Sequence, residues 1–146
     1  MLTEARAYLD TSALAKWYLN EPGSEAFVAF LQGLDSAVIS SLTQTEMRSL
    51  LSRRRRMGDL TVELESLLFA AFMGDIDRGW LQRYPLDDVR FAEASNLIAR
   101  YPEQPLRTLD ALHLTLAAQA GIPMLATADA VMAETASLMG FAVERF

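Results

Sequence analysis

Four acidic residues, Asp10, Glu46, Asp110 and Asp129, stand where a lone carboxylate is out of place. Asp10 closes the apolar stretch Ala7-Tyr8-Leu9 and opens Thr11-Ser12-Ala13-Leu14-Ala15, so it reads as the residue at the carboxyl end of a strand, just before a helix. Asp129 repeats the pattern, following Pro123-Met124-Leu125-Ala126 and preceding Ala130-Val131-Met132-Ala133. Glu46 and Asp110 fall inside helical patterns. Leu42 and Leu50 lie one turn either side of Glu46, and Leu106 and Leu114 one turn either side of Asp110, which turns both carboxylates toward a buried face. A buried carboxylate without a partner is costly or loses its charge, so such residues take a cation, an arginine or a metal. Four of them make an all-oxygen site, whose hard donors suit Mg²⁺ or Mn²⁺ rather than zinc.

Each position also has a plainer explanation. Asp10 and Asp129 both precede helices and could be simple N-caps. Glu46 could pair with Arg48 or the arginines that follow it, and Asp110 could belong to a structural ion pair. Ser12 and Thr127 fit either hydrogen bonds that hold the site carboxylates or local turn capping. Arg53-Arg54-Arg55-Arg56 ends a helix, where cations complement the dipole; contact with a phosphate backbone is the other reading.

The elements that must position these residues follow from periodicity and breakers. Strands are predicted near residues 6–10, 37–39, 80–86, 124–127 and 141–144. Helices are predicted near 12–20, 23–33, 42–57, 61–77, 87–101, 106–120 and 130–139, the last ending at Gly140, which suits a C-cap. Strands alternating with helices, with short apolar strand cores, predict an α/β fold in which a parallel sheet is covered on both faces. In such sheets ligands bind beyond the carboxyl ends of the strands, where Asp10 and Asp129 fall. Pro102-Glu103-Gln104-Pro105 is the clearest break, but four residues make a turn rather than a linker. Residues 1–146 therefore read as a single domain.

Composition narrows the classes. With 51% hydrophobic and 22% charged residues in 146, the chain has enough apolar surface for its own core and is not a disordered tail. Having no cysteine removes disulfides, thiolate zinc sites and cysteine nucleophiles. Met1 to Arg6 carries an acid where a signal peptide would be basic, and the most apolar stretch, 111–128, is interrupted by His113, Gln119, Gly121 and Pro123. A cytoplasmic protein with no membrane segment is expected. A net charge of −6 argues against a nucleic-acid partner, unless divalent ions reverse the sign inside the acidic cleft.

Four segments together resemble the PIN-domain ribonucleases, and within them the VapC-like toxins of toxin-antitoxin pairs. Tyr8-Leu9-Asp10-Thr11-Ser12-Ala13-Leu14 is similar to the family's opening strand and first acid, and Thr45-Glu46-Met47-Arg48 to its second. Leu106-Arg107-Thr108-Leu109-Asp110-Ala111-Leu112-His113-Leu114 resembles the motif that carries the third, and Leu125-Ala126-Thr127-Ala128-Asp129 the fourth. The resemblance runs from Arg6 to the last strand. It implies a three-layer α/β/α sandwich on about five parallel strands, Mg²⁺- or Mn²⁺-dependent cleavage of RNA, and homodimers bound by a cognate antitoxin. An RNA-processing nuclease without an antitoxin and a non-catalytic binding module are the alternatives. The next acid after Asp129 is Glu134, five residues on, whereas some relatives carry an acid or amide closer.

Phosphodiester hydrolysis needs an activated water and neutralisation of charge on the phosphate and the leaving oxygen, which two ions about 3.5–4 Å apart can supply. On this reading Asp10 bridges, Asp110 binds the first ion, and Glu46 and Asp129 serve the second or stand outside. Arg53, Arg54 and Arg107 are candidate RNA contacts. His113, the only histidine, is read as a packing residue of the motif.

Overall fold

Alternation along the first strand sets the layers. In the computed structural model, which describes residues 4–146, strand β1 (Arg6–Leu9) sends Ala7 and Leu9 into one apolar core and Tyr8 into the other, as the two-residue period of a strand requires. Met1 to Thr3, part of the segment read above for a leader, lie outside the described residues.

The chain continues through α1 (Thr11–Tyr18), α2 (Ser24–Gln32), β2 (Ser36–Ser40), α3 (Ser41–Arg56), α4 (Val62–Asp77), β3 (Leu81–Tyr84), α5 (Asp88–Arg100), α6 (Thr108–Gln119), β4 (Met124–Thr127), α7 (Ala130–Leu138) and β5 (Ala142–Arg145). All the predicted elements form, and their ends move by at most two residues. The strands make one parallel sheet in the order β3-β2-β1-β4-β5. Helices α1 to α4 contribute Leu14, Phe27, Met47, Leu51 and Phe72 to the core on one face; α5 to α7 contribute Leu97, Leu112, Leu114, Met132 and Ala136 to the other. Burying each such large apolar side chain contributes about 1.5–3 kcal/mol, and α6, buried continuously from Asp110 to Ala117, is the most enclosed helix. The α/β/α sandwich is the predicted one.

Two consequences bear on the site. From β1 the chain builds outward through β2 to β3, then crosses back to place β4 on the other side of β1. The carboxyl ends of β1 and β4 therefore sit side by side at the switch point, where an open α/β sheet forms its crevice. Helices α3 and α6 both begin at that edge, because a helix linking parallel strands runs back against them. Among the described residues no helix is long and apolar enough to cross a membrane.

Candidate active site

The backbone alone brings the first and fourth acids together. Leu9 pairs with Ala126, and Asp10 N donates to Ala126 O at 3.0 Å, which fixes the two strand ends in register. Two hydroxyls then tie the loops to Asp10. Ser12 Oγ accepts from Ala128 N at 2.9 Å and donates to Asp10 Oδ1 at 2.5 Å; Thr127 Oγ1 accepts from Asp129 N at 3.0 Å and donates to Asp10 Oδ2 at 2.7 Å. Ser12 and Thr127 thus hold the site carboxylate and order the turn in the same act.

Capping also occurs at both positions. Asp10 Oδ1 accepts from Ala13 N at 3.1 Å, and Asp129 Oδ1 accepts from Val131 N at 2.8 Å and Met132 N at 3.1 Å. A cap uses one oxygen of a carboxylate. In Asp129 the other oxygen, Oδ2, faces away from the helix and accepts from Arg107 Nη2 at 3.1 Å. The capping and site readings are compatible.

Asp110 lies where the leucine spacing put it, with 12% of its side chain exposed. Glu46 is shifted from the expected position. The buried stripe of α3 runs through Thr43, Met47 and Leu51, so Glu46 sits at its margin with 23% of its side chain exposed. Its partner is neither Arg48, which lies over the Phe69 ring, nor the arginine run. Glu46 Oε1 instead accepts from Thr11 Oγ1 at 2.8 Å and from His113 Nε2. His113 is buried, and its Nδ1 is 2.6 Å from the Tyr8 hydroxyl. It is a member of a hydrogen-bonded chain at the site rather than packing alone. Sequence reading missed Thr11 and Tyr8 altogether; both flank the Leu9-Asp10 pair, but nothing in their spacing points to Glu46, 35 residues from Thr11 along the chain.

Of the arginines proposed for RNA, only Arg107 is at the site. Its guanidinium spans two of the acids, 3.4 Å from Asp110 Oδ2 and 3.1 Å from Asp129 Oδ2, and it is 77% exposed. Arg54 is paired with Glu21 at 2.5 Å and Asp59 at 3.6 Å. Arg53 is exposed and lies seven residues beyond Glu46 on α3, about 10 Å along the axis at 1.5 Å per residue. The run Arg53 to Arg56 occupies the end of α3 remote from the acids.

Electrostatics single out Asp10. At 4% exposure, desolvation pushes its carboxyl above the usual range, against the charge of His113 and the bonds from Ser12, Thr127 and Ala13, which pull it down. Burial acts on Glu46 in the same direction, but the hydrogen bond and charge of His113, with Thr11 and Arg107, outweigh it and hold that carboxyl below its usual range. The carboxylates of Asp110 and Asp129 raise Arg107, which keeps its charge in any case.

The donor chemistry is of the kind a hard divalent cation takes: Asp10 and Asp129 end adjoining strands, Arg107 joins Asp129 to Asp110, and Thr11, next to Asp10, donates to Glu46. Yet among the described residues no three acidic or histidine side chains form a group that could hold an ion as they stand. The expected ring of four oxygen ligands is therefore not preformed. Arg107 and His113 explain this, because they hold Asp110, Asp129 and Glu46 as internal cation and donor. A cleft of about 310 Å³ opens among Glu46, Arg107, Thr108, Leu109 and Asp110. A roomier groove of about 460 Å³, lined by Trp17, Trp80 and Ala37, contains none of the four acids.

A parallel five-stranded sheet in the order 3-2-1-4-5 with acids meeting at its switch point defines a class. The family model of the PIN domain matches residues 7–138, and the chain belongs to the PIN domain family. It is 32% identical to the ribonuclease VapC46 of Mycobacterium tuberculosis over 95% of this chain and 96% of that protein. Among solved structures, Mycobacterium tuberculosis VapC20, a toxin that cleaves the sarcin-ricin loop, superposes with a TM-score of 0.74 at 16% identity, covering 96% of this chain and 99% of that one. VapBC2 of Rickettsia felis, bound to a DNA fragment of its promoter, superposes at 0.68 with 14% identity, covering 97% and 98%. Those two likenesses concern the fold.

Proposed function

We propose that this chain is a divalent-metal-dependent endoribonuclease, the toxin of a toxin-antitoxin pair, acting in the cytoplasm as a homodimer that a cognate antitoxin neutralises. The observation that carries the reading is the linkage of the four acids at the switch-point edge: Thr127 ties Asp10 to the loop of Asp129, Arg107 joins Asp129 to Asp110, and Thr11, beside Asp10, donates to Glu46. Like charges held near one another cost stability, so acids brought to a common edge suit a bound cation. The 32% identity to a ribonuclease across nearly the full length supports the same activity. The likeness to VapBC2 supports an antitoxin partner.

Asp10, Asp110 and Asp129, with Glu46, are the residues that would hold Mg²⁺ or Mn²⁺. The chemistry such ions supply is activation of water and neutralisation of charge on the phosphodiester. The protein's own part is orientation. Ser12, Thr127 and the Ala13 amide fix both oxygens of Asp10, and the α7 amides fix one oxygen of Asp129, so these carboxylates need little reorganisation. Arg107, once released by the acids, offers a planar two-pronged donor to a phosphate at the mouth of the cleft.

The test is incubation of purified, antitoxin-free protein with total cellular RNA in Mn²⁺, Mg²⁺ or chelator, beside Asp110→Asn. Discrete fragments that require metal and vanish in the variant are expected. Folded protein that leaves all RNA intact under every condition would overturn the proposal.

A further inference from the structure

Glu46 differs from the other acids in how it is held. No helix amide caps it, and it sits mid-helix on a long, flexible side chain whose rotamer freedom must be restrained by something else. Two donors converge on one of its oxygens. Thr11 Oγ1 and His113 Nε2 both reach Oε1, while Oε2 takes part in neither bond and belongs to the residue that lines the cleft. Behind His113 stands Tyr8, fully buried on the central strand β1, its hydroxyl 2.6 Å from Nδ1 and its ring edge-on to the imidazole at 5.6 Å between centroids.

We infer that Tyr8 and His113 are positioning residues that fix Glu46 by Oε1 and thereby present Oε2 to the cleft. A carboxylate only accepts, so the nitrogen facing Glu46 carries a proton, and the Tyr8 hydroxyl, able to donate or accept, partners the other nitrogen in either form of the ring. The chain runs Tyr8 hydroxyl to Nδ1, then Nε2–H to Oε1, drawing on β1, α6 and α3 in turn. It is the arrangement by which a second layer of residues sets the orientation of an oxygen ligand. Arg107 and Asp110, which line the same cleft as Glu46, and Asp10, near His113, are the other charged groups around it, and Thr11 is the remaining neutral donor.

The inference rests on the proposed metal-dependent reading, and its first readout is independent of RNA cleavage and of metal. His113 is the only histidine, so ¹⁵N-imidazole NMR of the metal-free protein reports a single ring. A ring that keeps a proton at Nε2 is expected, with the Nδ1 signal moving in Tyr8→Phe and the Nε2 signal moving in Glu46→Gln. A ring exchanging tautomers as free histidine does, or one whose signals move in neither variant, would overturn it.

The second readout is Mn²⁺ affinity by calorimetry in two variants, with thermal unfolding to confirm that each is folded. His113→Leu fills the buried space and removes both bonds, so it should weaken Mn²⁺ binding about 10- to 100-fold, the range seen when such supporting residues are lost. His113→Gln keeps a donor near the position of Nε2 and should recover most of that loss. If the leucine variant binds Mn²⁺ as wild type does, His113 only packs and the inference fails. RNA left uncut by a protein that passes both readouts would count against the proposed nuclease alone.

Discussion

Asp129 carries two duties on its two oxygens, and a pair of substitutions separates them. Oδ1 caps α7 through Val131 N and Met132 N, and Oδ2 faces Arg107. Asn keeps a carbonyl oxygen at the cap and is as good an N-cap as Asp, whereas Ala removes the cap at a cost of about 1 kcal/mol. The ion pair with Arg107 adds little to either figure, because a guanidinium 77% exposed is screened by solvent and such pairs contribute about 0–1 kcal/mol. It is lost equally in both variants. For a domain of this size 1 kcal/mol corresponds to about 2–4 °C in Tm. Asp129→Asn should therefore melt that much higher than Asp129→Ala in chelator, while both lose Mn²⁺-dependent RNA cleavage. Calorimetry and the total-RNA assay on the same preparations decide it. Equal melting of the two variants refutes the cap through Oδ1. Wild-type cleavage by Asp129→Asn would falsify the site role and leave capping as the residue's whole function.

Arg107 occupies two carboxylates that a metal would need, so Arg107→Ala should bind Mn²⁺ more tightly than wild type while changing Tm in chelator by less than about 1 kcal/mol-equivalent; a Mn²⁺ titration of Tm, where saturation at 100 times Kd adds about 2.7 kcal/mol, measures both. Weaker binding in this variant would show that the guanidinium does not compete. Asp10 is raised above its usual range by burial, so its charged form weighs against the fold: the contribution is favourable below the unfolded pKa and is lost as pH rises through the folded one. Asp10→Asn should accordingly gain on wild type in urea unfolding at neutral pH in chelator, with the gap closing as pH falls into the carboxylate range; a gap constant with pH would contradict the desolvation argument. Tyr18 donates to the buried Asp75 Oδ2 at 2.6 Å, outside the site. Tyr18→Phe should cost about 1–3 kcal/mol of stability and leave cleavage unchanged, a control that loses its value if activity falls with it.

The legibility of this site in the sequence divides along a physical line. The positions of Asp10, Asp110 and Asp129 in the fold could be read because burial and strand-end position are local properties: Leu106 and Leu114 mark the face of Asp110, and the apolar runs before Asp10 and Asp129 mark strand ends. Glu46 was placed one position too deep, because Leu42 and Leu50 are themselves only half-buried while Thr43, a polar residue, turns fully inward to cap α3. The partners of the acids had no such signal. His113 pairs with Tyr8 at a separation of 105 residues and with Glu46 at 67; a single residue meeting a single residue across a fold leaves no period to detect. The twelve arginines drew attention to Arg53 and Arg54 as a run, yet the arginine that reaches the acids is the isolated Arg107, one turn before Asp110. Charge density along a chain reports on helix ends and solvent, whereas a site is assembled by topology. Here the crossover from β3 back to β4 brings Asp129 beside Asp10, and α6, entering at the same edge, delivers Arg107, Asp110 and His113 on successive turns. Those three residues face different neighbours in the site, so the spacing of one helix sets what restrains the acids and, on the proposed reading, what an incoming cation would displace.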